Sequence, residues 1–313
     1  MAFKIQVASV FDFEKVQLID SQNSVVIEIL TKGALLNNWQ VTHQNKTLQL
    51  VEGNDYSNGW SHFEANGFRG AKMSPFACRL ESGQYSLLSK PYRIEKFYLN
   101  KDAIHGIVYD VIYTIQNTHA DEHGAYVMLK HDYMGTDQGY PFNFTLLVKW
   151  HLQKNNKLSV ESIITNQTGE IIPMMDGWHP YFSIGSLMND CQLSFKNIGK
   201  VVFNDQLLPT GEVIEDNTFN HPTKIESTQL DNCFILDPTH KDCVIENEAV
   251  KLIVQAEMNY PYLQLYIPPD RKSIAIENLS GAPNCYNNKI GLLMMKPHES
   301  IVFKTNYQFI VKL

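Results

Sequence analysis

The sequence predicts an all-β chain, a large antiparallel β-sandwich with little helix. Three observations predict it. Apolar and polar residues alternate over many short segments, Gly, Asn, Asp and Pro clusters recur roughly every 8 to 15 residues, and no stretch of about 12 residues keeps an apolar stripe at helical spacing. There is also no β-α-β alternation, which argues against a parallel, doubly wound sheet.

Taken in order, segment 25–30 reads as the first clear strand. The longest alternation follows: Phe142, Phe144, Leu146, Val148, Trp150 and Leu152 interleave with Asn143, Thr145, Leu147, Lys149 and His151. Lys154-Asn155-Asn156-Lys157 makes a polar turn, and Leu158, Val160, Ser162 and Ile164 resume the pattern, so the spacing predicts a long β-hairpin. Shorter strands are expected at 192–195, 251–255, 264–267, 273–277 and 301–311. Without a Pro- or Ser-rich linker, a low-complexity tract or an internal repeat, residues 1–313 are expected to form a single domain.

The composition is that of an ordinary globular protein, 44% hydrophobic and 19% charged. The 26 Lys and Arg against 33 Asp and Glu leave a net charge of −7 with no basic run, which excludes an electrostatic footprint for nucleic acid or an anionic membrane. Apolar runs such as Ile290 to Met295 fall far short of the ~20 residues of a membrane span, and the N-terminus lacks the pattern of a signal peptide, so a cytoplasmic location is expected. Five scattered cysteines (Cys78, Cys191, Cys233, Cys243, Cys285) without a C-x-x-C pair point to neither a disulfide framework nor a zinc knuckle. The Asn-x-Ser/Thr matches at Asn45, Asn143, Asn166 and Asn278 carry no weight in such a chain.

Phosphate-loop, dinucleotide, zinc-protease and serine-hydrolase motifs are absent, leaving His and carboxylate residues in unusual settings. His179 lies in Asp176-Gly177-Trp178-His179-Pro180-Tyr181-Phe182, where Pro180 holds it extended. An imidazole beside the two aromatics that follow it, Tyr181 and Phe182, suits a sugar site, since aromatic faces stack on sugar C–H surfaces; the plainer reading is a hydrogen-bonded histidine under an aromatic cluster. Glu277 shares a strand face with Ser273 and Ala275, which leaves room for a ligand, and Gly281 to Asn284 form a loop able to line a pocket; the alternative is an exposed strand Glu. Alternation places Arg79 with Ala77 and Glu81, opposite Phe76, Cys78 and Leu80, with a surface Arg-Glu pair as its bland reading. His105 precedes Gly106, expected to let backbone approach a ligand closely, and Asp231 and Gln264 are polar residues within apolar runs.

Together and in this order the segments resemble the aldose 1-epimerase (galactose mutarotase) family. Phe76-Ala77-Cys78-Arg79-Leu80 is similar to its arginine segment, Ile104-His105-Gly106 to its Leu-His-Gly, His179-Pro180-Tyr181-Phe182 to its His-Pro-Tyr-Phe, and Asp231 through Phe234 to its Asp-His-x-Phe. Gln264 falls where the family has a sugar-binding Gln, Ile276-Glu277 resembles its catalytic Glu segment, and 293–299 resembles its final turn. The departures are Cys78 for an Asn, Asn232 for a His, Ser74-Pro75 for a Gly-Arg pair and Asp176-Gly177-Trp178 for an Asn-x-Thr-Asn lead-in; they bear on substrate preference more than on the reaction.

The resemblance implies a galactose mutarotase-like super-sandwich that interconverts the anomers of a free aldohexose. It implies Glu277 as base on the C1 hydroxyl, His179 as acid at the ring oxygen, and Arg79, His105, Asp231 and Gln264, with Trp178 and Tyr181, as sugar contacts. A histidine near its usual pKa of ~6.5 would be charged part of the time. The chemistry demands no cofactor and no metal, although backbone carbonyls could build a calcium site invisible to sequence. The partner is a small sugar, acting on a monomer or homodimer. Rival readings are a hexose-6-phosphate 1-epimerase, for which only Arg79, Arg69 and Lys72 could supply cations, a sugar-binding module without turnover, and a glycosidase or lyase, for which Asp231 and Asp176 are the available partner carboxylates.

Overall fold

The computed structural model describes residues 2–57 and 67–312. Strands dominate; among the described residues helix is confined to the four-residue α-helix Cys285–Asn288 and the short 3-10 turns Glu81–Gly83 and Met188–Asp190. The predicted hairpin is present as Phe144–Gln153 paired antiparallel with Lys157–Asn166, in register from Phe144 opposite Asn166 to Gln153 opposite Lys157. The apolar set from Phe142 to Leu152 is buried and the intervening residues are half-exposed, as alternation requires.

That hairpin lies within a nine-stranded sheet. From one edge its strands are Thr114–Ala120, Gly124–Tyr133, Phe144–Gln153, Lys157–Asn166, Ser300–Val311, Val250–Met258 and Asp242–Glu246, followed by Gln192–Phe195 and Thr223–Lys224. A second, eight-stranded sheet runs Pro209–Ile214, Asn197–Phe203, Asp231–Leu236, Tyr262–Tyr266, Ile274–Leu279, Gly177–His179 and Ala71–Met73, with Tyr181–Phe182 also paired to Ile274–Leu279. The N-terminal strands Phe3–Val10, Phe13–Asp20, Val25–Leu30, Leu36–His43 and Lys46–Gln49 form an antiparallel meander.

The two large sheets face each other across one apolar cluster that runs from Phe3 to Phe309. Contacts across it are specific. Trp150 of the larger sheet meets Trp178 of the smaller at 5.3 Å between rings, and Phe182 meets Tyr307 at 5.6 Å. Polar groups cross too: Asn278 donates to Thr305 Oγ1 at 2.9 Å, and Lys72 Nζ donates to Ser162 Oγ at 3.1 Å. Lys72 and Asp176 are wholly buried and paired at 2.5 Å, with Tyr260 donating to the same carboxylate at 2.6 Å. Charges in that position survive burial through each other and through hydroxyls, Ser162 for Lys72 and Tyr260 for Asp176 Oδ2, while Asp176 Oδ1 is left without a hydrogen-bond partner among the described residues.

Gly106 differs from its expected role. Its φ is +80°, and a Cβ there would lie 2.2 Å from the Ser74 carbonyl oxygen, so the glycine serves backbone-to-backbone packing rather than approach to a ligand.

Candidate active site

Alternation along four neighbouring strands assembles the site on the outer face of the eight-stranded sheet. In Gly177–His179 the side chain of Trp178 enters the core and that of His179 points outward. In Ile274–Leu279, Ile274, Ile276 and Asn278 face the core, while Glu277 faces out. Gln264 sits directly opposite Glu277 across the ladder, Cys233 opposite Gln264, and Asp231 opposite Tyr266. Sheet register alone therefore brings His179, Glu277, Gln264 and Asp231 to one cavity of about 370 Å³.

The walls come from loops and short strands packed above that face. Arg79–Leu80 pairs with Asp102–Ile104, which brings Arg79 and His105 over the sheet. Cys78 has φ +53°, which breaks the alternation expected through 76–80, so Cys78 and Arg79 both line the cavity instead of taking opposite faces. The surface pair with Glu81, the bland alternative for Arg79, does not form; Arg79 Nη1 lies 4.0 Å from Asp102 Oδ2, and Asp102 also accepts from the Ser82 amide at 2.9 Å. Pro283, from the loop after the Glu277 strand, lines the cavity as its position suggested.

At the floor, His179 Nε2 lies 3.4 Å from Glu277 Oε1, and Glu277 is only 2% exposed. The His179 ring stacks on Tyr181 with centroids 4.9 Å apart and receives the His105 ring edge-on, also at 4.9 Å. Tyr181 is fixed in turn by donating its hydroxyl to the Gly67 carbonyl at 3.1 Å. Cys78 Sγ lies 4.0 Å from Glu277 Oε2. Beside them Gln264 Nε2 donates to Asp231 Oδ1 at 2.9 Å, while Gln264 Oε1 and His105 Nδ1 are buried without a protein partner.

Burial sets the protonation of this group. It pushes His179 down to about 4, so the partly charged histidine expected from sequence is instead a neutral imidazole at pH 7. Glu277 is raised well above the carboxylate range, first by burial and then by the Asp231 charge. The 3.4 Å contact thus sets a carboxyl whose affinity for a proton is raised against an imidazole whose affinity is lowered, close enough for a proton to pass between them. Burial also lowers His105, with His179 and Arg79 adding to the effect, and raises Asp231 against the opposing pull of Arg79 and Gln264.

A stability consequence follows with a definite sign. A carboxyl whose pKa is higher in the folded state stabilises the fold below its ordinary pKa, and that contribution disappears as pH rises through the raised value. Glu277→Gln keeps the shape and removes the titration. The melting temperature of this variant should therefore gain on wild type as pH rises from about 5 to about 9. A difference that stays flat, or shrinks, would place an ordinary, solvated carboxylate at this position.

Several residues proposed from sequence lie elsewhere or are constrained differently. Trp178 is adjacent to His179 in sequence and therefore on the opposite face; it packs on Trp150 with Lys72 Nζ 4.5 Å from its ring centroid, and it does not reach the cavity. Tyr181, two residues from His179, does line it but is 5% exposed rather than an open platform. Asp176 belongs to the core pair with Lys72, and Arg69 pairs with Glu52 at 3.1 Å. The sequence reading missed Phe68, Phe97, Leu99, Phe203, Leu207 and Tyr266, which also line the cavity; only Tyr266, at i+2 from Gln264, carried a periodic signal.

Bifunctional protein gal10 of Schizosaccharomyces pombe is 26% identical over 272 residues, 82% of this chain but 37% of that protein, so the chain spans little more than a third of that relative's length. A crystal structure of a galactose mutarotase-like protein from Clostridium acetobutylicum superposes with a TM-score of 0.85 at 18% identity, over 99% of each chain. Galactose 1-epimerase from Lactobacillus acidophilus NCFM does so at 0.83, again with 18% identity and 99% of each chain covered. These likenesses establish a galactose mutarotase-like sandwich. The aldose 1-epimerase profile itself matches residues 15–308, and the chain belongs to that family.

Proposed function

We propose that the chain is an isomerase, an aldose 1-epimerase that interconverts the α and β anomers of a free aldohexose of the galactose or glucose type. The observation that carries this reading is the His179–Glu277 pair, 3.4 Å apart at the floor of a cavity that also holds the polar side chains of Arg79, His105, Asp231 and Gln264. Mutarotation moves two protons at one end of a hemiacetal. A base takes the proton from the C1 hydroxyl, an acid gives one to the ring oxygen, and the C1–O5 bond breaks to leave the free aldehyde. Rotation about C1–C2 and reclosure reverse both transfers on the other face.

This requires one acid and one base present together, and a pair that shares a single proton supplies both. In the ring-opening direction Glu277 acts as base at the C1 hydroxyl once its proton has passed to His179, and His179 delivers that proton to the ring oxygen. On reclosure the roles exchange. Arg79, His105, Asp231 and Gln264 hold the remaining hydroxyls, with the unpartnered Gln264 Oε1 and His105 Nδ1 placed to do so, and Tyr181 holds His179 in plane.

A free sugar fits better than a phosphorylated one. Among the cavity-lining residues described, Arg79 is the one cation; Arg69 is engaged with Glu52 and Lys72 lies in the core. Polarimetry on freshly dissolved α-D-galactose, α-D-glucose and glucose 6-phosphate tests the reading. The protein should hasten the optical rotation of a free hexose and leave the phosphate near its spontaneous rate. Acceleration of the phosphate alone would reassign the substrate, and silence on all three would favour a sugar-binding module.

A further inference from the structure

The cavity has an outer end that the reaction above does not use. His179 and Glu277 are buried at its floor, so a bound aldose directs C1 and the ring oxygen inward and its remote end toward the mouth. The mouth is formed by two hairpins. One, Tyr98–Leu99 with Asp102–Ile104, follows Phe97 and brings Leu99; the other, Asn197–Phe203 with Pro209–Ile214, brings Phe203 and Leu207. Their tips are tied together by Lys101 Nζ, which donates to Gln206 Oε1 at 2.6 Å although the two residues are 105 apart in sequence.

Phe97, Leu99, Phe203 and Leu207 face the cavity with carbon alone, and Leu99 is 38% exposed. The hydroxyl at the far end of a plain hexose finds no donor or acceptor on these side chains, whereas an apolar group there would be removed from water by all four. The cavity's 370 Å³ falls in the ~300–1,000 Å³ range that encloses ligands of drug size. We infer that this mouth is a subsite for an apolar substituent on the aldose, carried at the end remote from C1. The inference rests on the proposed function, because that reading fixes which end of the sugar points outward.

The test compares α-D-galactose with its 4-O-benzyl ether, substituted across the ring from C1, by polarimetry in wild type and in a Leu99→Ser, Leu207→Ser variant. Wild type should turn over the ether with a kcat/KM at least about tenfold above the parent, mainly through a lower KM, as burial of an aromatic ring implies. In the variant the ratio of the two kcat/KM values should fall to about one. Parent sugar turned over as well as, or better than, the ether would overturn the subsite and leave the proposed function standing. Failure to turn over either sugar would overturn both.

Discussion

Glu277→Gln is expected to abolish most of the acceleration of mutarotation, a loss of roughly 10²–10⁴-fold in kcat, with His179→Asn falling in the same range. The amide keeps the size of Glu277 and its place opposite Gln264 but can neither take up nor release a proton at C1. The two losses should not add. Each group works only with the other, 3.4 Å away, so the double variant should be little slower than either single one. Polarimetric rates above the spontaneous background measure all three proteins. A loss of only about tenfold in both single variants would be too small for proton transfer and would remove the pair from the chemistry.

Lys72→Met should be the most damaging change to the fold that leaves the cavity lining untouched. It strips Asp176, fully buried, of the ammonium 2.5 Å away, and breaking a buried pair from one side costs about 3–5 kcal/mol. The Tyr260 hydroxyl remains as a donor to the Asp176 carboxylate, but a hydroxyl cannot offset a full buried charge. Chemical denaturation should show the midpoint falling steeply, and Lys72→Met combined with Asp176→Leu should recover much of the loss because no orphaned charge remains. A single variant that denatures at the wild-type midpoint would mean that the pair contributes nothing. The strand that carries Lys72 pairs with Gly177–His179, so the damaged core lies directly behind the proposed acid.

Much of the sheet framework was legible because its signal is local. The hairpin from Phe144 to Asn166 and the strands beginning at Val25, Gln192 and Ser300 follow from period-two patterning and turn residues. His179, Glu277, Gln264 and Asp231 were legible through motif order, and sheet register then accounts for their convergence. Trp178 was misplaced because an aromatic next to a histidine suggests a shared site, whereas neighbours in a strand face opposite ways. Cys78 was misplaced because a left-handed backbone angle leaves no mark on hydrophobic periodicity. Phe97, Leu99, Phe203 and Leu207 could not be found at all, since distant hairpins bring them together and nothing in either segment refers to the other. The depressed pKa of His179 likewise depends on burial, which arises only after the chain has closed around it.

The alternation that sends Trp178 inward and His179 outward also divides the labour of mutation. Along Asp231–Leu236, Tyr262–Tyr266 and Ile274–Leu279, the residues that reach ligand space are Asp231, Gln264, Tyr266 and Glu277, while Phe234, Leu263, Leu265 and Ile276 belong to the apolar core. Changes at Tyr266 can therefore remodel the pocket while the inter-sheet side chains at Phe234, Leu263 and Leu265 stay as they are. A lineage, or a library, can search substrate preference in one register of these strands and conserve thermal robustness in the other, so that specificity and stability evolve as nearly independent coordinates of the same few strands.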